Sequence, residues 1–200
     1  MEKKSIEQRS RILLDSVIIE PATAELLCSL KEYNQRTFTH CLNVAFVSVQ
    51  IGYNWGLSEN KLKNLARGAV LHDIGKIKIP IEILEKKGPL TQDEFEQIKL
   101  HPTIGHELVK DKGYDNTVLD IILHHHEHID GSGYPDGDKV IKLMMETQIV
   151  AVIDAWDAMT SKRSYKQELS GEDAMMELLD FVGSYYNGEV IRGLRIASDK

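Results

Sequence analysis

Residues 36–51 read RTFTHCLNVAFVSVQI, and within them Phe38, Leu42, Ala45, Phe46 and Val49 recur at three- and four-residue spacing. That period lays the apolar side chains along one face of an α-helix, whereas a half-buried strand would alternate every second residue. A second such stretch begins at Ser58, a cap reinforced by Glu59, and carries Leu62, Leu65, Ala69 and Val70 toward His72 and Asp73, where Gly75 can end it. After an extended IKIP at 77–80 and a KKGPL turn at 86–90, Thr91 and Glu94 have capping-box spacing, and Pro102 bends or restarts the helix they open. Residues 116–126 and 143–160 repeat the helical pattern. Between them, 127–140 holds three glycines and a proline and reads as a loop; further helices are expected from Ser170 and, in a short form, after Asn187. Few segments alternate with a period of two, so the expected fold is all-α, a helical bundle.

At 200 residues the chain can bury one substantial core. A formal net charge of -7 excludes a surface that tracks nucleic-acid polymers, and any anionic phosphate ligand then needs local cations or a metal. Cys28 and Cys41 form no C-x-x-C pattern, so neither a disulfide framework nor a zinc knuckle is expected, and a reduced, cytoplasmic setting is the default. The opening MEKKSIEQRSRILLDSVIIEP has apolar stretches broken by Asp15 and Glu20, which argues against a signal peptide or a membrane span.

The chemistry lies in the histidines and aspartates. His40, the adjacent His72 and Asp73, and Asp154 come from three helices whose apolar faces must pack together, which is how bundles build internal metal sites. An Asp inside VAVIDAWDAM faces a burial penalty unless it is paired or metal-bound. His101, His125 and His126 can form a second set, with Asp73 spanning both; two metals roughly 3.5–4 Å apart make the clamp used for in-line phosphoryl displacement. Imidazole plus carboxylate suits Fe, Mn, Zn or Ni better than Ca or Mg. Lys76, one turn past His72, would meet a phosphate oxygen as a point charge. Taken singly these positions decide little: a lone histidine on an apolar helix is more often a core or surface residue, and Asp-Gly-Ser-Gly is by itself only a turn. His106, His124 and His128 read as exposed.

Their order is more specific. His40, HDIGK at 72–76, HP at 101–102, HHE at 125–127, DGSGYP at 130–135 and DAWDAMTSKRSYK at 154–166 together closely resemble the HD-GYP family, the bacterial branch of HD phosphohydrolases that degrades cyclic di-GMP. The resemblance runs from residue 36 to 185 and includes the IP, KKGPLT and HPTIG words; it implies an HD-GYP catalytic domain over 36–200 with 1–35 as an N-terminal helical extension. It implies His40, His72, Asp73 and Asp154 as ligands of a first metal, His101, His125 and His126 as ligands of a second with Asp73 bridging, and iron or manganese as the preferred ions. It also implies that Lys76 contacts phosphate, that Arg163 and Lys166 grip the dinucleotide, and that Tyr134 either presents its ring to a guanine or braces the loop, where Gly131 and Gly133 permit positive φ or close approach. Three-metal members carry a Glu one turn before the first His. Arg36 stands there instead, so two metals are expected. The stretch from Tyr134 to the last Asp is shorter than in the family.

The activity implied is metal-dependent hydrolysis of cyclic di-GMP to linear diguanylate, the further step to GMP left open, with Asp73→Ala abolishing turnover and Arg163→Ala mainly raising KM. Two rivals are an HD hydrolase acting on another nucleotide or cyclic dinucleotide, and a catalytically weak signalling module. A homodimer, or a diguanylate cyclase or other regulatory protein, would be the macromolecular partner. No sensory domain accompanies the catalytic unit in the sequence.

Overall fold

A computed structural model describes residues 4–137, 142–161 and 168–198. Helix α1 (Ile6–Ile18) starts at a reciprocal cap, the Ser5 hydroxyl accepting the Gln8 amide while the Gln8 side chain accepts from the Ser5 amide. Helix α2 (Pro21–Tyr33) places Pro21 in the first turn, where a missing N–H leaves no bond unmade. Asn34 caps α3 (Gln35–Asn54) through the Thr37 amide, and Ser58 caps α4 (Glu59–Leu71) through that of Lys61. A 3-10 turn over Ile74–Lys78 leads to α5 (Ile81–Leu84), then α6 (Gln92–Ile98) behind the Thr91–Glu94 capping box and α7 (His101–Val109), restarted at Pro102. Helices α8 (Asn116–His124), α9 (Met145–Thr160), α10 (Gly171–Asp180) and α11 (Gly188–Ser198) complete the chain. No β-strand occurs among the described residues, as the all-α expectation required.

Helix α3 runs through the middle and packs against α1, α2, α4, α9 and α11. One continuous core joins Val44, Val49 and Ile51 of α3, Leu62, Leu65 and Val70 of α4, Ile121 and Ile122 of α8, and Ile149 and Ile153 of α9. Val17 of α1 and Leu30 of α2 are both fully buried and belong to that core, so these two helices share it with the rest of the bundle. No helix among the described residues is long and apolar enough to cross a membrane.

The structure departs from the sequence reading after Asp73. Half of the segment expected to be extended, Ile77 and Lys78, belongs to the 3-10 turn; Ile79 is extended, and the short α5 follows Pro80. Gly75 does not stop a helix by taking positive φ. It lets two backbones touch: a Cβ there would lie 2.0 Å from the His101 carbonyl oxygen and 2.6 Å from the Gly105 nitrogen. The HD turn is thereby pressed onto α7, which carries the next histidine. The last helix is also longer than expected, because Val190, Ile191 and Leu194 are drawn into the core.

Candidate metal centre

Five elements deliver seven side chains to one end of the bundle. His40 comes from α3, His72 and Asp73 from the end of α4, His101 from the start of α7, His125 and His126 from the end of α8, and Asp154 from the middle of α9. Three overlapping groups place their ligand atoms within 4.8 Å of one another: His40, His72 and Asp73; His101, His125 and His126; and His72, His125 and Asp154. All seven residues expected as ligands therefore converge.

Hydrogen bonds on the far side of the rings set their orientation. Nδ1–H of His72 donates to Ala69 O at 2.8 Å, that of His101 to Ile98 O at 2.7 Å, and that of His125 to Ile122 O at 3.1 Å. Each bond fixes the tautomer and leaves Nε2 as a bare lone pair pointing inward. His40 differs, held by carboxylates on both sides: Nδ1 to Asp157 Oδ2 at 2.6 Å and Nε2 to Asp154 Oδ1 at 2.9 Å. Asp73 sits between the two halves. Its Oδ2 lies 3.8 Å from His40 Nε2 and 3.6 Å from His72 Nε2, while its Oδ1 lies 3.2 Å from His101 Nε2 and 4.0 Å from His125 Nε2.

This donor set fits a divalent cation. Four buried side-chain atoms among the described residues lack a hydrogen-bond partner, and two of them, His72 Nε2 and Asp73 Oδ1, face this centre; the others, Ser48 Oγ and Trp156 Nε1, are isolated neutral groups. Burying an unpartnered acceptor costs about 1–3 kcal/mol, a penalty that a cation removes. His101 Nε2 and His125 Nε2 stand 3.1 Å apart although both Nδ1 atoms already carry the donated protons, so two lone pairs face each other. Burial pushes the His72 imidazole down and drives His125 well below its ordinary range; the same cause takes His126 to about 3. For Asp73 and Asp154 burial favours the neutral acid, yet Lys76 and the histidines around the first, and His40 beside the second, hold both carboxyls well below their usual range. Neutral imidazoles and ionised carboxylates are the ligand forms that metal binding requires. His40 is the exception: burial opposes its charge, but the Asp154 and Asp157 bonds outweigh that and raise it to about 9.

The centre opens into a cleft of about 940 Å³, at the roomy end of the range for ligand pockets. Its polar wall includes Arg36, Asn43 and Lys76, and its apolar wall comes from Ile83, Leu84, Leu90, Phe95 and Ile98. Lys76 Nζ rests 2.6 Å from Asp73 Oδ2, where it faces both the centre and the cleft. Tyr134 lines the cleft too, but one face of its ring is engaged by His126, with centres 4.8 Å apart. Arg163 and Lys166 lie outside the described residues.

The sequence reading missed three supports. Asp157 is buried behind His40, and its signal was the Asp154-to-Asp157 spacing that places both carboxylates on one face of α9. Glu127 of the HHE word is no ligand: it is buried and accepts the Asp136 amide at 2.6 Å and the Gly137 amide at 3.0 Å, clasping the glycine-rich loop. His124 is not an exposed residue, because Asp120 Oδ1 at 2.9 Å and Asp136 Oδ2 at 3.3 Å hold it from both sides. His128 likewise is half-buried and stacks on Tyr185. Within the loop, Gly131 takes a φ of +79°, and Gly133 gives close approach, a Cβ there falling 2.5 Å from the His126 oxygen.

This helical bundle, with candidate histidine and aspartate ligands gathered at one end, matches the HD-domain family over residues 21–190. The chain belongs to the HD-domain family. It is 41% identical over 170 residues to a cyclic di-GMP phosphodiesterase of Thermotoga maritima, covering 84% of this chain and 46% of that protein. With the cyclic di-GMP phosphodiesterase response regulator RpfG of Xanthomonas campestris it shares 34% identity over 206 residues, covering 96% and 54%. The chain thus spans about half the length of these relatives. Among solved structures, an HDG"Y"P protein of Bdellovibrio bacteriovorus superposes with a TM-score of 0.69 at 22% identity, over 98% of this chain and 64% of the other, a likeness of fold.

Proposed function

We propose that this chain is a metal-dependent phosphodiesterase that opens cyclic di-GMP to linear diguanylate (pGpG), with GMP as the product of a second hydrolysis, in the cytoplasm. The observation that carries this reading is the pair of buried, unpartnered atoms His72 Nε2 and Asp73 Oδ1, the second on a residue that lines a cleft large enough for a dinucleotide. The named activity of the Thermotoga and Xanthomonas relatives supports it. His40, His72, Asp73 and Asp154 would hold one divalent ion and His101, His125, His126 and Asp73 the other, with Arg36 in place of a further carboxylate limiting the count to two. Iron or manganese is the preferred ion, and zinc and nickel also suit the ligands. When bound, such a pair lowers the pKa of a water and neutralises charge on phosphate oxygens.

The chain's own groups position the substrate. Lys76 offers an ammonium to a phosphate oxygen; burial opposes its charge, but Asp73 and Asp154 raise its pKa above the ordinary value and keep it cationic. The apolar wall of Ile83, Leu84, Leu90 and Phe95 accommodates a base and strips water from it. Arg163 and Lys166 would add positive charge from the segment after α9. The departing 3′-oxygen takes its proton from solvent at the open mouth of the cleft.

The test is chromatography of products after incubating cyclic di-GMP, cyclic di-AMP and cyclic GMP-AMP with protein purified anaerobically, assayed for metal, and supplied separately with Fe(II) and Mn(II). Metal-dependent appearance of linear diguanylate or GMP, faster than the linear products of the other two, is expected. Two bound metals with no product from cyclic di-GMP would overturn the proposal.

A further inference from the structure

Four of the five candidate ligand histidines owe their orientation to a hydrogen bond at Nδ1. His126 has no such bond among the described residues; its Nδ1 is 3.8 Å from the nearest carboxylate oxygen, Asp154 Oδ2. What lies on it is a ring. Tyr134, eight residues on, stacks against it with planes 29° apart, and the Tyr134 amide donates back to His126 O at 3.2 Å.

The loop between them is anchored by a second stack. His128 lies on Tyr185 with centres 3.9 Å apart and planes 9° from parallel, and Tyr185 lies on Phe181 at 4.6 Å and 11°. Backbone bonds run beside these rings, the Asp130 amide donating to Ser184 O at 2.9 Å and the Ile129 amide to Tyr185 O at 3.4 Å. Phe181, His128 and Tyr185 neither line the cleft nor belong to the ligand groups. Stacked aromatic pairs are attractive beyond their burial and constrain ring orientation.

We infer that Tyr134 and Tyr185 are positioning residues for His126: Tyr134 orients the imidazole by direct stacking, and Tyr185 holds the loop that delivers Tyr134 by clamping His128. The inference rests on the reading of His126 as a metal ligand. It assigns Tyr134 a bracing role and gives the turn between α10 and α11 a part in the metal centre.

The probe is Co(II), whose visible absorption bands report ligand geometry, titrated into metal-depleted protein with the fold checked by circular dichroism. Wild type is expected to bind two ions. Tyr134→Leu and Tyr185→Ala are expected to weaken one of them by about tenfold or more, in the range seen for groups that orient metal ligands, and to alter its absorption bands. Tyr134→Phe and Tyr185→Phe, which keep the stacks, are expected to match wild type. His128→Ala should reproduce the Tyr185→Ala loss, and the double variant should lose no more than either single one; His128→Ala carries this arm if Tyr185→Ala does not fold. Unchanged isotherms in the Leu and Ala variants, or equal losses in the Phe variants, would overturn the inference. A wild type that binds no Co(II) would instead overturn the metal-centre reading on which it rests.

Discussion

Helix α4 passes through two interiors. At its middle, Leu65 is fully buried among apolar neighbours from α3 and the rest of the core. At its end, His72 is equally buried, yet its Nε2 meets no partner and faces an aspartate, a second aspartate and other histidines. The first interior lowers the free energy by removing apolar surface from water, and nothing further is needed to complete it. The second raises the free energy until a cation arrives, and tertiary packing from the first holds it in place. Stability and function are therefore separable along one helix.

The largest expected effect strikes the polar end alone. Asp73→Ala removes a buried carboxylate that faces both ligand groups, and the proposed turnover of cyclic di-GMP should fall by about 10³-fold or more, since the metal contribution is worth several kcal/mol. Metal analysis of the purified variant should show fewer than two ions per chain. Retained activity with full metal content would remove Asp73 from its assigned place.

Next in size are two thermal measurements that cross. Leu65→Ala should destabilise the protein by about 2–5 kcal/mol, the range for deleting a buried leucine side chain, and should do so equally with and without metal. Stripping the metal from wild type should lower the transition temperature by about 5–10 °C if it was held at a hundred times its Kd, from roughly 2.7 kcal/mol of linkage. In Asp73→Ala the metal-dependent part of that shift should vanish. A Leu65→Ala protein whose deficit depends on metal would show that the two interiors are coupled.

Asp157→Ala tests the boundary between them, because its carboxylate touches no other candidate ligand but holds His40 from behind. Metal affinity is expected to fall about 10- to 100-fold, as when other groups that orient a ligand are removed. Isothermal titration with Mn(II) measures it. An unchanged affinity would mean that packing on α3 alone orients His40.

How far the sequence discloses these regions follows from what sets each one. The apolar interior is written as local periodicity, so α3, α4, α8 and α9 were legible to within a few residues. The candidate ligands were legible for a different reason: taken singly they decide little, but their order along the chain resembles a known family. Asp157 and Glu127 escaped because a supporting carboxylate reads like a ligand or a surface acid until its partner is known, and that partner is set by tertiary structure. Gly75 escaped likewise: nothing near it in sequence reveals that it touches the backbone of α7. The short α5 buries no residue and meets α6, so no period of its own marks it.

The smallest expected effect falls on the start of α6, a helix whose last residue, Ile98, supports His101 through its carbonyl. It buries no residue, yet with Phe95 and Ile98 it walls the cleft, and its start is fixed by the Thr91 hydroxyl on the Glu94 amide and the Glu94 carboxylate on the Thr91 amide. Lys86 ties to the same carboxylate at 2.5 Å. Thr91→Ala should weaken this helix by about 1 kcal/mol, the usual loss for an N-cap. Because so little of the core depends on α6, the global transition should hardly move, while amide exchange over 92–98 should speed up about fivefold. If the whole protein instead melts earlier by several degrees, α6 is part of the cooperative core, and the wall of the cleft is as rigid as the interior behind it.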